Sequence, residues 1–316
     1  MGEAPVASGV VDERRGVLAG AIAYTTWGLF PLFFHQLHGT GAVEILGHRI
    51  VWSFLTVSIV LVWKRRAGGI ATLRADRRRA ARIALAAVLL ATNWLVYVAA
   101  VNAGHVVDAA LGYFVTPLVS VGIGVLVLKE RLRPAQRAAV LLGAIAVVVL
   151  TIGYGRVPWI ALALAATFGT YGYLKKTIVL DDPFASMAAE SAVLLPLTLV
   201  GFVGAVVFGG GIVFGAHGPA NTLLLMATGP VTAVPLVLFG IAARRIPLTW
   251  IGLLQYFTPV GQFLCGVLVF HEDVPPARLV GFVLVWLALV VLAIDAVRRY
   301  RAIPARVPVP AEPAAA

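Results

Sequence analysis

Cysteine is nearly absent: Cys265 is the only one in 316 residues, so the chain can form no internal disulfide and no multi-thiolate metal site. Charge is scarce as well, at 12% of residues against 60% apolar, and a soluble domain would expose far more of it. No GxxxxGK[ST] stretch occurs, which removes a nucleotide held in a phosphate-binding loop as the direct source of energy. HExxH and any Cys/His ligand set are missing too, so hydrolysis at a metal has nothing to stand on. His35 and His38 form an isolated HxxH that reads as interfacial. The expectation is no enzyme, no cofactor and no metal.

What the chain has instead is long apolar runs. A helix needs about 20 residues to cross a hydrocarbon layer of ~30 Å, and runs of that order recur at about 17–36, 43–63, 81–101, 106–128, 135–152, 157–174, 186–208, 219–242, 248–270 and 277–297. None alternates strictly between apolar and polar, so helices that satisfy their own backbone hydrogen bonds are expected rather than a barrel. The ends, 1–16 and 298–316, read as disordered cytoplasmic tails.

Two of the runs repeat one another. "YFVTPLVSVGIGVLVLKERLRPA" at 113–135 returns as "YFTPVGQFLCGVLVFHEDVPPA" at 256–277, with Pro117 on Pro259 and Glu130 on Glu272 at a constant offset of 142. Such a repeat of half a chain is a structural unit used twice. With an odd number of spans in each copy, the second must lie upside down relative to the first. The fold expected is therefore an all-α integral membrane protein, ten transmembrane helices in two inverted five-helix repeats, 17–152 and 153–297.

Charge supports that arrangement. If the N-terminus is cytoplasmic, 22 of the 25 Lys and Arg residues fall on the cytoplasmic side, as the positive-inside rule requires, and both termini are then inside. The swap of the basic "KERLRP" for the acidic "HEDVPP" follows, because the two flanks face opposite sides. The net charge of +11 thus speaks for membrane orientation and not for a nucleic-acid partner.

Proline-interrupted spans at matching places in inverted halves point to a transport site. Pro117 has Tyr113 and Ser120 on its face, and Pro259 has Gln255 and Gln262, with Tyr256 beside them. Further aromatic and amide groups at helical spacing are Tyr24 and Trp27, then Asn93, Trp94 and Tyr97, then Phe168 and Tyr171. These are the candidate solute contacts, although mid-membrane Pro, Tyr and Asn also serve packing alone. Glu44, His48 and Arg49 at the outer end of the second span, and Glu190 in the seventh, are candidates for proton coupling or ion pairing, since an ionisable group in lipid is costly unless paired or hydrated. Glu190 has no partner evident in its own span. Spans five and ten are almost wholly aliphatic and would face lipid or a second copy in a homodimer.

With these positions assembled, the chain resembles the RarD family of EamA-type permeases in the drug/metabolite transporter (DMT) superfamily. The likeness rests on "EILGHRIVWS" (44–53), "NWLVYVAAVNAGHVVDAALGYFVTP" (93–117), "VLVLKERL" (125–132), "GPVTAVPLVLFGIAARRIPL" (229–248) and "GLLQYFTP" (252–259). It implies a bacterial inner-membrane permease with a central cavity lined by spans one to four and six to nine, an exporter of small metabolites or drugs. A flippase of a lipid-linked substrate is the alternative, with Arg49 or the Arg244-Arg245 pair as its basic contact.

Overall fold

The computed structural model describes residues 5–65, 76–127, 129, 132, 134–155, 157–178, 183–208, 211–246 and 254–302. Glu130, the loop around 66–75 and the outer parts of both expected tails lie outside them. Among the described residues eleven helices follow in order: α1 Pro5–Gly28, α2 Phe30–His35, α3 Ala42–Trp63, α4 Arg77–Asn102, α5 Val106–Leu126, α6 Pro134–Tyr154, α7 Trp159–Thr177, α8 Pro183–Val207, α9 Gly218–Arg245, α10 Phe257–Leu264 and α11 Pro276–Ala302. A single π turn, Cys265–Val269, continues α10. Among the described residues every regular element is helical.

Local chemistry sets the boundaries. Pro134, Pro183 and Pro276 each open a helix, where a missing N–H costs nothing. Asp76 caps α4 by accepting from the Arg78 amide at 2.8 Å. Gly104 and Gly155 end α4 and α6 at φ of +70° and +63°, the left-handed conformation that L side chains avoid.

Among the described residues, eight helices or helix pairs are long and apolar enough to cross a membrane, against the ten expected. The two that fall short are explicable. α7 carries Lys175 near its C-terminus, which lowers its hydropathy, and the ninth expected span is described only from Leu254, as the short apolar stretch Phe257–Val269. At the ends the backbone is helical from Pro5 and as far as Ala302, beyond the apolar runs at both ends, because a helix can carry its polar residues out of the lipid.

The first span is broken, which hydropathy did not foretell. α1 stops at Gly28 and α2 resumes at Phe30. Pro31 lacks the N–H that would bond the Trp27 carbonyl, and Gln262 on α10 donates to that carbonyl instead, at 3.3 Å. Thr258 donates to the Tyr24 carbonyl at 2.9 Å. The broken segment thus becomes the docking edge for α10.

The extensive packing pairs come in matched sets. α1 packs on α9 and α10, while α7 packs on α4 and α5. α3 packs on α9, and α8 on α4. Three further pairs, α3 with α8, α5 with α10 and α6 with α11, close the bundle. α6 and α11 bury Leu150, Phe282 and Val285 between them and leave Leu141, Val148, Leu287 and Val290 exposed, an outward apolar face suited to lipid.

Candidate functional site

Arg49 lies about 10 Å along α3 from its first residue, at 1.5 Å rise per residue, well inside a helix of 22 residues. Its side chain turns into the bundle and is 3% exposed. Nε donates to Thr232 Oγ1 on α9 at 3.0 Å. The guanidinium carbon sits 3.9 Å from the ring centre of Trp94, 5.1 Å from Phe34 and 5.6 Å from Phe30, so three aromatic faces surround the cation. Among the described residues it has no ion-pair partner, and its Nη1 makes no hydrogen bond.

The α4 candidates gather beside it. Trp94 stacks on the guanidinium, and Tyr97, one turn on, packs against Phe34 at 6.1 Å and Tyr113 at 5.9 Å between ring centres. The Tyr97 hydroxyl is buried without a partner. Tyr113 donates to Asn93 Oδ1 at 2.9 Å, and Asn93 Nδ2 donates to Thr167 Oγ1 and the Leu164 carbonyl on α7, at 3.0 and 3.1 Å. Trp27 borders the same apolar cluster. Arg49, Asn93, Trp94, Tyr97 and Tyr113 therefore form one centre drawn from α3, α4 and α5, while Trp27 of α1 stays at the border, its ring against Tyr24 and Phe239.

An aromatic path leads from this centre to Glu190. Tyr113 meets Phe168 edge-on at 5.8 Å, and Phe168 lies 5.9 Å from Tyr171. The Tyr171 hydroxyl donates to Glu190 Oε2 at 3.2 Å. The absence of an evident partner for Glu190 is corrected here: Lys175 Nζ donates to its carboxylate and to Ser186 Oγ. Lys175 is on the neighbouring helix, where it counts in sequence only as a flanking basic residue.

Glu44 and His48 face another way. Glu44 Oε1 accepts from the backbone amides of Val213 and Phe214 at 2.7 and 3.1 Å, anchoring the segment before α9. His48 Nε2 is 3.8 Å from Glu44 Oε1, and Trp52 Nε1 donates to His48 Nδ1 at 3.2 Å. Its ring lies between Phe202 and Phe214, at 4.9 and 4.7 Å. The three residues that read as one group thus divide: two fix an interfacial loop and Arg49 enters the core.

The remaining candidates lie apart from Arg49. Tyr24 packs with Ala242, Ile246 and Leu254. Tyr256 borders the cluster between α5, α6 and α11, and no described hydrogen bond joins the Gln255 side chain to the centre. Ser120 is exposed and donates to its own helix at the Thr116 carbonyl. Pro117 sits inside α5, but Pro259 is in the first turn of α10 after a break at Gln255 and Tyr256. There its lost N–H is one that no helix would use, so the two prolines do not disrupt their spans alike. Thr232, Phe30 and Phe34 were missed; the polar Thr232 between Pro230 and Pro235 was the available signal.

Residues 14–152 match the EamA-like transporter family, which sets this apolar helical bundle with its polar and aromatic centre among the membrane transport proteins. The chain is 53% identical to Protein RarD of Streptomyces exfoliatus, covering 92% of this chain and 91% of that one. It is 41% identical to an uncharacterized transporter of Pseudomonas aeruginosa, covering 92% and 97%, and 35% identical to Protein RarD of Escherichia coli, covering 92% and 97%. One solved crystal structure superposes over 90% of this chain and 98% of its own with a TM-score of 0.59 at 18% identity, a likeness of fold alone. The chain belongs to the RarD family of EamA-like transporters.

Proposed function

We propose that this protein is a secondary exporter of a small polar or amphipathic metabolite or drug, working by alternating access in the bacterial inner membrane with both termini cytoplasmic. The observation that carries the reading is the Arg49 centre, an ionisable and aromatic cluster within the membrane-spanning bundle, where such groups mark solute pathways. The matched packing pairs support two inverted five-helix units, 17–152 and 153–297, in a ten-span protein. Exchanging the two units sends α1 on α9 and α10 to α7 on α4 and α5, and two units packed this way can rock about the centre between them. The Glu190–Lys175 pair, linked to that centre through Tyr171, Phe168 and Tyr113, is suited to proton coupling. The open aliphatic faces of α6 and α11 suit lipid or a second copy.

One relative in Pseudomonas aeruginosa, 28% identical, carries the name chloramphenicol-sensitive protein RarD, which makes amphenicols worth including among trial solutes. The test is flux in proteoliposomes holding the full chain, loaded with labelled amino acids, aromatic metabolites or chloramphenicol and given a pH gradient. Efflux of one class above protein-free vesicles, lost in Tyr113→Ala, is expected. No efflux of any class would overturn the small-solute reading.

A further inference from the structure

Arg49 is a buried charge for which the described residues supply no opposite one. Of the other ionisable groups on these helices, Glu190 is matched by Lys175 and Glu44 by two backbone amides. Arg49 has one neutral hydroxyl and three aromatic faces, and an uncompensated cation in this setting is held at a cost in stability. Its Nη1 finds no acceptor, and neither does the buried Tyr97 hydroxyl; both side chains pack against the ring of Phe34. These are two unmet donors at one place. Metal-ligand groups are not what gathers here, since no cluster of His, Cys, Asp or Glu able to hold an ion exists among the described residues.

The group that completes this site brings acceptor oxygens and negative charge. A planar carboxylate matches the guanidinium fork, and the rings of Phe34, Tyr97 and Tyr113 around it offer flat apolar contact. A neutral solute leaves the charge unanswered, and a cation is repelled. Resting on the transporter reading above, we propose that the transported solute is an organic anion, a carboxylate with an aromatic body, whose oxygens accept hydrogen bonds from Arg49 Nη1 and the Tyr97 hydroxyl. Thr232 and Trp94 hold the guanidinium in place for it.

The probes are benzoate and indole-3-acetate with their uncharged isosteres benzamide and indole-3-acetamide. Each is titrated into the full chain in dodecyl maltoside, which carries no anion, and read by isothermal titration calorimetry and thermal stabilisation. At least one acid saturates the protein and raises its apparent Tm, and its amide does neither at tenfold higher concentration. Arg49→Gln weakens that acid at least about 10-fold, the loss of a charge-assisted bond, and Tyr97→Phe weakens it about 3- to 10-fold. Tyr97→Phe keeps the ring and removes only the hydroxyl, so it reads the same contact independently of the charge. Ligand-free Arg49→Gln melts no lower than the parent, because it removes an unpaired charge; a lower Tm would make Arg49 a structural group and overturn the proposal.

So would acids and amides that bind alike, acids that fail to bind, or binding undiminished in both variants. Competition by added phosphatidylglycerol would give the site to a lipid headgroup instead. Flux separates this proposal from the reading beneath it. Binding that needs Arg49 without transport in vesicles would sink the exporter, whereas transport of a neutral solute untouched by Arg49→Gln would sink the anion site.

Discussion

The Tyr113 hydroxyl donates to Asn93 Oδ1 at 2.9 Å, and this bond ties α5 to α4 at the point where Asn93 Nδ2 also reaches α7. One amide therefore holds three helices in register. Buried polar groups of this kind are worth most when every member is satisfied.

Tyr113→Phe leaves Asn93 Oδ1 buried without its donor. The expected loss is about 1–3 kcal/mol of stability, read as a lower Tm of the purified protein. Because the substitution keeps the ring against Phe168, flux falls only as far as the α4–α5 register shifts. An unchanged Tm would show that Asn93 has another donor in solution.

The pair Lys175–Glu190 lends itself to a double-mutant cycle. Lys175→Met strands a carboxylate that is 5% exposed and costs about 3 kcal/mol, as expected for breaking a buried pair. Glu190→Gln costs less, since one of the Tyr171 and Ser186 hydroxyls still donates to the amide oxygen and the other can accept from the amide N–H. The double variant recovers much of the loss. If proton coupling runs through this pair, Glu190→Gln keeps solute counterflow and loses accumulation driven by a pH gradient.

Glu272, in the segment before α11, caps the first turn of α5. Its two carboxylate oxygens accept from the amides of Val106 and Val107 at 2.6 and 2.8 Å, so Glu272→Ala costs about 1–2 kcal/mol. Burial pushes its carboxyl above the ordinary glutamate range, more than those two hydrogen bonds hold it down. The folded protein then binds this proton more tightly than the unfolded chain. Its contribution is full below the ordinary range and is lost as pH rises through the raised value. The Tm of the parent relative to Glu272→Gln should therefore fall across that window, and a difference that rises with pH would contradict it.

The positions of the helices were legible in the sequence, because span length and apolar content follow directly from bilayer thickness. So was part of the centre: Asn93 and Tyr97 share helical spacing on α4 with Trp94 beside them, and the first two meet Tyr113 of α5. What could not be read was pairing across helices. Lys175 looks like one more flanking cation until α7 sets it against Glu190. Glu44 looks like a partner of His48 alone until the chain returns at Val213. Arg49 shows the same limit from the other side, since having no ion-pair partner among the described residues is a property of the packed bundle and not of its own span. The break at Gly28 was within reach, for Pro31 stands in plain view.

Close helix crossings give the last prediction, because they separate packing from composition. A Cβ on Gly229 would lie 2.4 Å from the backbone carbonyl of Trp52, and one on Gly261 would lie 2.9 Å from the Cα of Gly28. Backbone cannot swing aside as a side chain can, so Gly229→Ala must part α9 from α3, and Gly261→Ala must part α10 from α1. Overpacking of this sort costs about 1–3 kcal/mol. Gly122 and Gly201 lie in equally apolar helices with nothing within 4 Å of an added Cβ, and alanine there is neutral or slightly stabilising through its helix propensity. Gly229→Ala should also move the Arg49 centre, since Thr232 is on the same face one turn on and holds the guanidinium. Thermal melts of the four variants test the packing, and loss of Thr232-dependent function in Gly229→Ala, with Gly122→Ala unaffected, tests the link to the site.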